Sequence, residues 1–364
     1  MVVETGSSPP TSPPVSILSD SDVNSDRPSN VSLLANKYLL FDNGSNSTNT
    51  NKSSCVQKNF LRCIKIETKE QFSCKVVSRN QEGLQLVVGY HRLDEGCEAI
   101  SKVHEVVLSP KCLYMIMPAT FGNVHAYLLA KKKLREEEAA NIFRQMVTAV
   151  QFCHSKGIVL RDLKMGKFVF HDRDRTLVRL DTLEDAVLLN DLNDDGLSDK
   201  HGCPNYVSPE KAEILRSNKK YPGKATDMWG LGVILYTLLV GRYPFNDEDH
   251  SKLFVKIRRG HYSIPENLSG SAKFLIKCLL QKDPKARPTC GVILKHSWLN
   301  SGIPQGSSTS SNVNCSRSLS SASISSVMSD SQPAIYDMLG NNSKQCYPKP
   351  NDSEDQVVPS IDMN

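Results

Sequence analysis

Residues 160–164 read Leu160-Arg161-Asp162-Leu163-Lys164, and this pentapeptide restricts the fold more than any other segment of the chain. Toward the C-terminus it is followed by Ser208-Pro209-Glu210, Asp227-Met228-Trp229-Gly230 and Asp283-Pro284-Lys285-Ala286-Arg287-Pro288. Toward the N-terminus lies Phe72-Ser73-Cys74-Lys75, a short segment that ends in a lysine. Each segment alone is a weak signal, but five of them in this order leave few alternatives for the fold.

In this order the five segments resemble the signatures of protein kinases, over roughly residues 60–300. The resemblance implies that Lys75 stands where kinases place the phosphate-pairing lysine, and that residues 160–164 form the catalytic loop around Asp162. It predicts an α+β fold, a bilobal protein-kinase-like domain with a small sheet-rich N-lobe and a larger helical C-lobe.

Three charged residues of these segments are predicted to hold the scaffold rather than to act on a substrate. Asp227 is expected to cap the catalytic loop from below. Glu210 and Arg287 are expected to form a buried ion pair, which is costly to break from one side. On the same interpretation Lys75, Asp162 and Lys164 are vestiges of a catalytic set.

Hydrophobic periodicity predicts the same two-part architecture. Strands are predicted over residues 61–66, 71–77, 84–90 and 113–117, with a helix over the polar residues 94–107. A long amphipathic helix is predicted to begin at three glutamates, Glu136 to Glu138, and to end at Gly157. Further helices are predicted over residues 227–240, 253–258, 271–280 and 291–294.

Phosphoryl transfer requires neutralised phosphate charge, bound metal ions and an oriented nucleophile. The position five residues after Asp162, where kinases place a magnesium-binding asparagine, is Lys167, a cation. The metal-binding Asp-Phe-Gly is replaced by Thr182-Leu183-Glu184, so a hydroxyl stands in place of a carboxylate. Lys167, Thr182 and Glu184 are therefore degenerate metal positions, and the sequence predicts no metal site. Glu184 is expected to point away from the metal position unless the backbone reshapes.

Two further parts of the kinase set are uncertain or missing. The glycine-rich loop is expected between residues 62 and 72, and that segment contains no glycine, so its amides cannot close over phosphates. The acidic partner of Lys75 is expected within residues 94–107, where Glu95, Glu98 and Glu105 all stay open.

Leu160 in place of the loop histidine, Lys167 in place of the asparagine and residues 182–184 in place of Asp-Phe-Gly form a specific combination. Together with Asp199-Lys200-His201-Gly202-Cys203-Pro204 they resemble the Tribbles pseudokinases. The family triplet is usually Ser-Leu-Glu, so Thr182 is a mild departure. The resemblance implies a protein that is not an enzyme and needs no cofactor, with at most weak ATP binding that does not require magnesium.

The resemblance also implies two docking segments. Asp355, Gln356, Val357, Val358 and Pro359 resemble the peptide by which the family binds the WD40 propeller of the constitutive-photomorphogenesis-type E3 ubiquitin ligase. An extended peptide with β-branched residues and a proline loses little entropy on entering a groove.

The second docking segment resembles the family's site for MAP-kinase kinases. Its contact residues would be Ile293, Leu294, His296, Trp298 and Leu299. The same apolar residues also suit the last helix of any kinase core, so the sequence leaves a docking role and a structural role equally open.

Composition bounds the rest of the chain. A net charge of +5, without a basic stripe that carries aromatics, argues against direct nucleic-acid binding. The 11 cysteines form no C-x-x-C pair, which favours reduced thiols in cytoplasm and nucleus. No signal peptide is indicated, and the apolar run over residues 228–240 is too short to cross a membrane.

Four divisions follow from composition shifts. Residues 1–58 are predicted to be a disordered N-terminal tail, in which residues 31–41 are an apolar patch, either a docking segment or an unremarkable one. Residues 59–299 are predicted to form the pseudokinase domain. Residues 300–352 are predicted to be a disordered linker and residues 353–364 the ligase-binding tail.

The function implied by the resemblance is that of an adaptor. The helical lobe would bind a degron from a CCAAT/enhancer-binding-type transcription factor, the tail would hold the ligase, and the linker would keep the two close together. Two alternatives stay open: an atypical weak serine/threonine kinase with metal-independent ATP use through Lys75 and Asp162, and a decoy for MAP-kinase kinases without ligase function.

Overall fold

The computed structural model describes residues 15–17, 31–41, 60–93, 96–214 and 219–300. It has a sheet-rich N-lobe and a helical C-lobe, so the predicted bilobal protein-kinase-like fold is confirmed. The predicted linker and ligase-binding tail, with Asp355, Gln356, Val357, Val358 and Pro359, lie outside the described residues.

Within the described ranges, seven strands form the N-lobe sheet in the order β1-β6-β7-β5-β4-β3-β2. Strand β1 pairs in parallel with β6, and every other neighbouring pair in this sheet is antiparallel. Lys75 lies in the middle of the central strand. The seven strands are β1 (Val15–Ile17), β2 (Val31–Leu34), β3 (Tyr38–Phe41), β4 (Phe60–Lys65), β5 (Gln71–Ser78), β6 (Glu105–Leu108) and β7 (Cys112–Pro118).

Residues 31–41 form the β2–β3 hairpin of this sheet, so their assignment to a disordered tail is wrong. Leu34, Tyr38 and Leu40 are buried in one apolar cluster with Phe72 of β5. The polar residues 42–59 separate this hairpin from the rest of the domain along the chain, and a composition-based boundary is therefore drawn too late. Burial against β4 and β5, not a partner, explains the apolar patch.

The first helix of the N-lobe is α1 (Gln81–Arg92), where the sequence analysis expected a strand over residues 84–90. The helix begins at Asn80, whose side chain accepts a hydrogen bond from the Gly83 backbone N–H at 2.9 Å. Its buried residues Gly83, Leu86 and Tyr90 have three-and-four spacing. A short apolar run does not distinguish a strand from a helix, and the capping asparagine was the missed signal.

The predicted helix over residues 94–107 is also wrong. Residues 96–100 form a turn, and the chain then enters strand β6, where Glu105 is buried. The polar composition of the segment suits an exposed turn as well as it suits a helix.

The C-lobe is built on eight helices among the described residues, and the predicted ones are confirmed with small shifts at their ends. The core of this lobe is α5, which is buried along nearly its whole length and ends at Gly241, a residue with φ of 82°. The helices are α2 (Val124–Lys131), α3 (Glu136–Ser155), α4 (Pro209–Ile214), α5 (Gly223–Val240), α6 (His250–Arg259), α7 (Gly270–Leu279), α8 (Cys290–Leu294) and α9 (Ser297–Asn300).

Three two-stranded sheets carry the loops of the C-lobe: β9 (Phe168–Phe170) with β10 (Val178–Leu180), β8 (Ile158–Val159) with β11 (Val187–Leu188), and β12 (Gly196–Leu197) with β13 (Tyr221–Pro222).

In the part of the chain that the structure describes, no helix is long and apolar enough to span a bilayer. The cysteines of that part, Cys63, Cys74, Cys97, Cys112, Cys153, Cys203, Cys278 and Cys290, are free thiols.

Candidate functional site

The β9–β10 hairpin brings the two degenerate metal positions together. Phe168 pairs with Leu180 in the antiparallel register, and the backbone N–H of Asp181 donates to the carbonyl of Lys167 at 2.8 Å. Lys167 therefore lies just before β9 and Thr182 just after β10, beside each other. Kinases use this arrangement to place two metal ligands side by side. In this protein the same two positions carry an ammonium group and a hydroxyl group.

Lys167 has its ammonium held inside the protein. The side chain is buried, and Nζ donates to the carbonyl oxygen of Glu184 at 2.6 Å and to Asp185 Oδ2 at 3.3 Å. The cation thus occupies the space between the catalytic loop and the segment that follows β10. A divalent metal ion in that space would meet a fixed positive charge.

Lys75, fully buried on β5, is engaged by the same triplet. Its Nζ lies 2.8 Å from Glu184 Oε1 and donates to Thr182 Oγ1 at 2.5 Å. Burial lowers the pKa of the Lys75 ammonium, and the negative charge of Glu184 acts in the opposite direction. Glu184 therefore neutralises this lysine, a contact that the sequence did not predict.

None of the three glutamates expected to pair with Lys75 is shown to do so. Glu105 accepts hydrogen bonds from Ser16, Lys37 and Tyr38, Glu98 lies in an exposed turn, and Glu95 lies outside the described residues. The helix that follows the lysine strand, α1, carries a single acid, Glu82, in its exposed first turn. The ion pair that active kinases form with that helix is replaced by one with the triplet.

The segment expected to replace the glycine-rich loop was placed in the wrong hairpin. Phe60 pairs with Lys75, whereas the β4–β5 turn begins beyond the Ile64–Gln71 pair, about 13 Å away along the strand. The chain that enters β4 beside Lys75 is residues 42–59, which contain one glycine, Gly44, and lie outside the described residues. The corrected segment still has no Gly-x-Gly-x-x-Gly pattern.

Asp162 and Asp227 hold the catalytic loop. Asp227 accepts the backbone N–H groups of Leu160 and Arg161, each at 2.8 Å, as the sequence analysis expected of a cap. Asp162 Oδ1 accepts the backbone N–H of Cys203 at 2.8 Å, and Lys164 Nζ lies 3.7 Å from its other oxygen. The would-be catalytic carboxylate thus ties the loop to the activation segment.

A second tie joins Asp185 to the activation segment. His201 Nε2 lies 2.7 Å from Asp185 Oδ1, while Lys167 contacts Oδ2. Burial acts to raise the pKa of the Asp185 carboxyl, but the hydrogen bond from His201 and the charge of Lys167 outweigh it and hold this pKa well below its ordinary range. In the sequence His201 stands out only through the family resemblance, and nothing there predicts this contact.

Asp162, Asp185 and His201 are the metal-type donors that come together within the described ranges, with ligand atoms all within 4.8 Å of one another. Both oxygens of Asp185 are already paired, one with His201 and one with the Lys167 ammonium. A metal ion would have to displace that ammonium to reach the carboxylate.

Lys211 is a buried cation that the sequence analysis did not single out. Its Nζ donates to the Arg161 carbonyl at 3.3 Å and lies 5.0 Å from the centre of the Tyr221 ring. Burial lowers the pKa of this ammonium, and the charges of Asp199 and Asp162 raise it. A lysine directly after Ser208-Pro209-Glu210 was the available signal.

Glu210 and Arg287 form the expected ion pair. Arg287 Nη1 and Nη2 each donate to a different oxygen of Glu210 at 2.7 Å, and the arginine side chain is fully buried. Arg287 also donates to the carbonyls of Ala225 and Gln281 at 2.8 Å. The two-pronged pair fixes the end of the activation segment against α5.

The predicted MAP-kinase-kinase segment is mostly inside the C-lobe. Ile293, Trp298 and Leu299 are buried, and Trp298 Nε1 donates to Glu136 Oε2 at 2.8 Å. The partly exposed members are Leu294 and His296. The three buried residues therefore have a structural role. Leu294 and His296 are the members of the segment that contribute to the protein surface.

The exposed part of that surface lies on α7 and α8. The Phe274 ring is 60% exposed and stacks on His296 with centroids 5.9 Å apart, and Val292 is also 60% exposed. Phe274 could not be recognised from the sequence, because an apolar residue within α7 is typical of a core helix.

Most of the chain is similar to known proteins. The protein kinase domain family matches residues 53–299. The chain is 46% identical over 261 residues to Tribbles homolog 2 of Bos taurus, which covers 68% of this chain and 73% of that protein. It is 47% identical over 247 residues to Tribbles homolog 1 of Homo sapiens (67% of this chain, 64% of that protein). It is 44% identical over 238 residues to Tribbles homolog 3 of Mus musculus (65% and 66%).

Proposed function

The chain belongs to the Tribbles family of pseudokinases, and we propose that it is an adaptor that recruits a constitutive-photomorphogenesis-type E3 ubiquitin ligase to substrates and modulates MAP-kinase signalling. In this proposal the substrates are transcription factors of the CCAAT/enhancer-binding type. The protein acts by bringing partners together and not by transferring phosphate.

The position of the Lys167 ammonium carries the proposal. Kinases imply magnesium and ATP in this cleft, and the residues present do not fit a magnesium pair: one metal position is a buried cation and the other is a hydroxyl engaged by Lys75. Phosphoryl transfer without metal ions lacks the charge neutralisation on which it depends. We infer no magnesium requirement and at most weak ATP binding.

The state of Lys75 supports the same conclusion. Its ammonium is already neutralised by Glu184, so a phosphate would have to displace an internal carboxylate from a fully buried lysine. This argues against the alternative of an atypical weak serine/threonine kinase that uses Lys75 and Asp162, because Asp162 is also engaged, by Cys203.

The ligase is proposed to bind residues 355–359, near the end of the chain. Residues 300–352 would act as a linker of about 40 Å root-mean-square length if they behave as a flexible coil. A tether of that reach raises the local concentration of the ligase near a substrate bound to the C-lobe. The family resemblance, together with the Asp-Gln-Val-Val-Pro sequence, is the support for this site.

MAP-kinase kinases are proposed to bind the exposed surface around His296, Leu294 and Phe274. The support is the stacked, solvent-facing Phe274–His296 pair beside the family-like segment.

We further propose that the protein works in the cytoplasm and nucleus, without binding nucleic acid or membranes directly. A net charge of +5 without an aromatic-basic stripe supports the absence of nucleic-acid binding.

A pull-down tests the adaptor function. The intact chain, a chain lacking residues 353–364 and a chain with Val357→Asp and Pro359→Ala are each incubated with the ligase propeller and with a degron peptide from the transcription factor. We expect the two altered chains to lose the propeller and to keep the degron. Retention of the propeller by the truncated chain would exclude the proposed ligase site.

The same chains, expressed in cells, distinguish the adaptor from the alternative of a decoy for MAP-kinase kinases. If ligase recruitment is the function, the truncated chain fails to lower the amount of the transcription factor although it still binds MAP-kinase kinases. Equal loss of the transcription factor with intact and truncated chains would favour the decoy.

A further inference from the structure

Strand β1 is a three-residue strand at the edge of the N-lobe sheet. It pairs in parallel with β6 through Val15↔Val106, Ser16↔Val107 and Ile17↔Leu108. A ladder this short forms few backbone hydrogen bonds, and side-chain contacts weigh correspondingly more in holding it. It also covers the edge of β6, which would otherwise present unpaired backbone groups.

Ser16 anchors this strand to a buried carboxylate. Its Oγ donates to Glu105 Oε1 at 2.6 Å. The same oxygen accepts from Lys37 Nζ at 3.0 Å, and Tyr38 donates its hydroxyl to Oε2 at 2.7 Å. Glu105 is 5% exposed, so nearly all its partners are supplied from within the sheet.

The charge at this anchor is balanced. Burial acts to raise the pKa of Glu105, but the hydrogen bonds from Ser16, Tyr38 and Lys37 outweigh it and lower the pKa. One carboxylate therefore faces one ammonium, that of Lys37, whose side chain is 50% exposed and whose Nζ also lies 3.4 Å from Ser16 Oγ. The serine hydroxyl is the neutral member of the set.

We propose that Ser16 is a phosphorylation site and that its phosphorylation detaches β1 from β6. The co-reactant is ATP bound to a separate protein serine/threonine kinase. Ser16 Oγ attacks the γ-phosphorus and forms an O–P bond, the bond from that phosphorus to the β–γ bridging oxygen breaks, and ADP leaves. The hydroxyl proton passes to the catalytic base of that kinase.

The modified side chain no longer suits the anchor. Phosphoserine has lost the hydroxyl proton that Oγ donates to Glu105, and it carries a charge of about −2 at neutral pH. Glu105 is negative and Lys37 offers one positive charge, so the anchor changes from neutral to about −2. Glu105 belongs to strand β6 inside the sheet, whereas β1 is paired through three residues only. The repulsion therefore detaches β1 from β6, and Glu105 keeps its position.

Hydrogen–deuterium exchange on the full-length chain tests the proposal. Phosphoserine is incorporated at position 16, and exchange is followed in peptides that cover β6 (Glu105–Leu108) and, as an internal reference, β4 (Phe60–Lys65). We expect exchange of the β6 amides to accelerate by about tenfold or more while the β4 amides stay unchanged.

Three matched variants isolate the charge effect. Ser16→Ala removes the hydroxyl without adding charge. We expect it to accelerate β6 exchange clearly less than phosphorylation does, because the anchor loses one hydrogen bond but gains no negative charge. Phosphoserine at Ser19 adds the same charge two residues beyond β1, and we expect it to change β6 exchange by less than about threefold. Glu105→Gln in the phosphorylated chain keeps an acceptor and removes the repulsion, and we expect it to slow β6 exchange again.

Three results would overturn the proposal. Unchanged or slower β6 exchange in the phosphorylated chain would mean that Lys37 captures the phosphate and keeps β1 in place. Acceleration that reaches β4 equally would mean that the whole lobe is destabilised. Mass spectrometry that finds no phosphate at Ser16 after incubation of the chain with ATP and extract of the cells that express it would remove the modification itself.

Discussion

At the scale of single residues, the main feature of the cleft is a pair of lysines whose ammonium groups are bound by other residues of the protein. Lys167 donates to the Glu184 carbonyl and to Asp185, and Lys75 is held by Glu184 and Thr182. The acids that neutralise these cations come from the triplet and the residue after it. The positive charges of the two lysines are therefore compensated locally by internal partners.

Restoring the metal ligands is expected to restore nucleotide binding. In the double variant Lys167→Asn, Thr182→Asp the internal cation is replaced by an amide and the hydroxyl by a carboxylate. We expect ATP with magnesium to raise the melting temperature of this variant by roughly 3 °C or more. The unaltered chain is expected to show no magnesium-dependent shift.

Thermal unfolding with ATP, with and without magnesium, is the measurement. Lys167→Asn, Thr182→Asn is the matched control, because it removes the same lysine and supplies no carboxylate. A magnesium-dependent shift in the unaltered chain would show that the native cleft does hold the metal.

At the scale of elements, the first turn of α1 packs directly against the end of strand β5. A Cβ atom at Gly83 would lie 2.1 Å from the carbonyl oxygen of Ser78, at the end of β5. The glycine allows the helix to start directly beside the strand that carries Lys75. This close approach also explains why a residue with poor helix propensity occurs in the first turn.

Gly83→Ala is expected to destabilise the protein although alanine favours helices. The propensity gain of about 1 kcal/mol is outweighed by the contact with a backbone oxygen, and we expect a net loss of about 1–3 kcal/mol in the free energy of unfolding. Urea unfolding measures the change. Gly270→Ala in α7, where a Cβ meets nothing within 4 Å, is the control and should be neutral or slightly stabilising. A stabilised Gly83→Ala chain would contradict the predicted contact.

The last helix, α9, is held by Trp298, whose ring packs at 6.3 Å from Phe143 and whose Nε1 donates to Glu136. We expect Trp298→Ala to lower the free energy of unfolding by about 3–5 kcal/mol, and Trp298→Phe, which removes the hydrogen bond to a carboxylate, by about 1–3 kcal/mol. The exposed Phe274 provides the contrast, since Phe274→Ala should change stability little.

Binding to a MAP-kinase kinase is measured on the same three variants. We expect Phe274→Ala to weaken binding and Trp298→Phe to leave it unchanged under conditions where the chain stays folded. The opposite pattern would place the docking contact on the tryptophan and not on the exposed surface.

At the scale of the whole molecule, buried polar groups join the two lobes around the cleft. Tyr90 of α1 donates its hydroxyl to the Asp181 carbonyl at 2.5 Å, and Ser101 Oγ lies 2.8 Å from His171 Nε2 beyond β9. Burial raises the pKa of the Asp181 carboxyl, opposed by the charge of Lys75. The lobes are thus connected by groups whose ionisation depends on burial, and stability should depend on pH.

The pH dependence is expected to come from His171 between pH 4 and 6.5. Burial, with the positive charge of Arg179, lowers the pKa of His171 from 6.5 to about 4, against the opposing charge of Asp172. In this window the unfolded histidine binds a proton that the folded one does not, so the free energy of unfolding rises with pH, by about 1–2 kcal/mol because solvent screens this partly exposed group. Asp185 and Glu105, whose pKa values are lowered, lose their contributions mainly below the ordinary values of 3.8 and 4.5.

Urea unfolding at several pH values measures this slope. His171→Gln keeps a polar contact for Ser101 and removes the titration, so its slope between pH 4 and 6.5 should be clearly flatter. Parallel slopes for the two chains would show that another group titrates in this window.

The sequence by itself determined the lobe architecture, the C-lobe helices, the cap at Asp227 and the Glu210–Arg287 pair, because these follow from local periodicity and from motifs whose partners have fixed places in the fold. It also showed that a lysine and a threonine, Lys167 and Thr182, occupy the positions at which kinases place metal ligands, and the absence of a metal site there stays a prediction. Only the tertiary structure decided which acid neutralises Lys75, which end of β4 lies beside Lys75, and that residues 31–41 are strands. Those features depend on contacts between segments far apart in the chain, such as Lys75 with Glu184 and Leu34 with the β5 side of the sheet, and side-chain spacing along one segment carries no information about them.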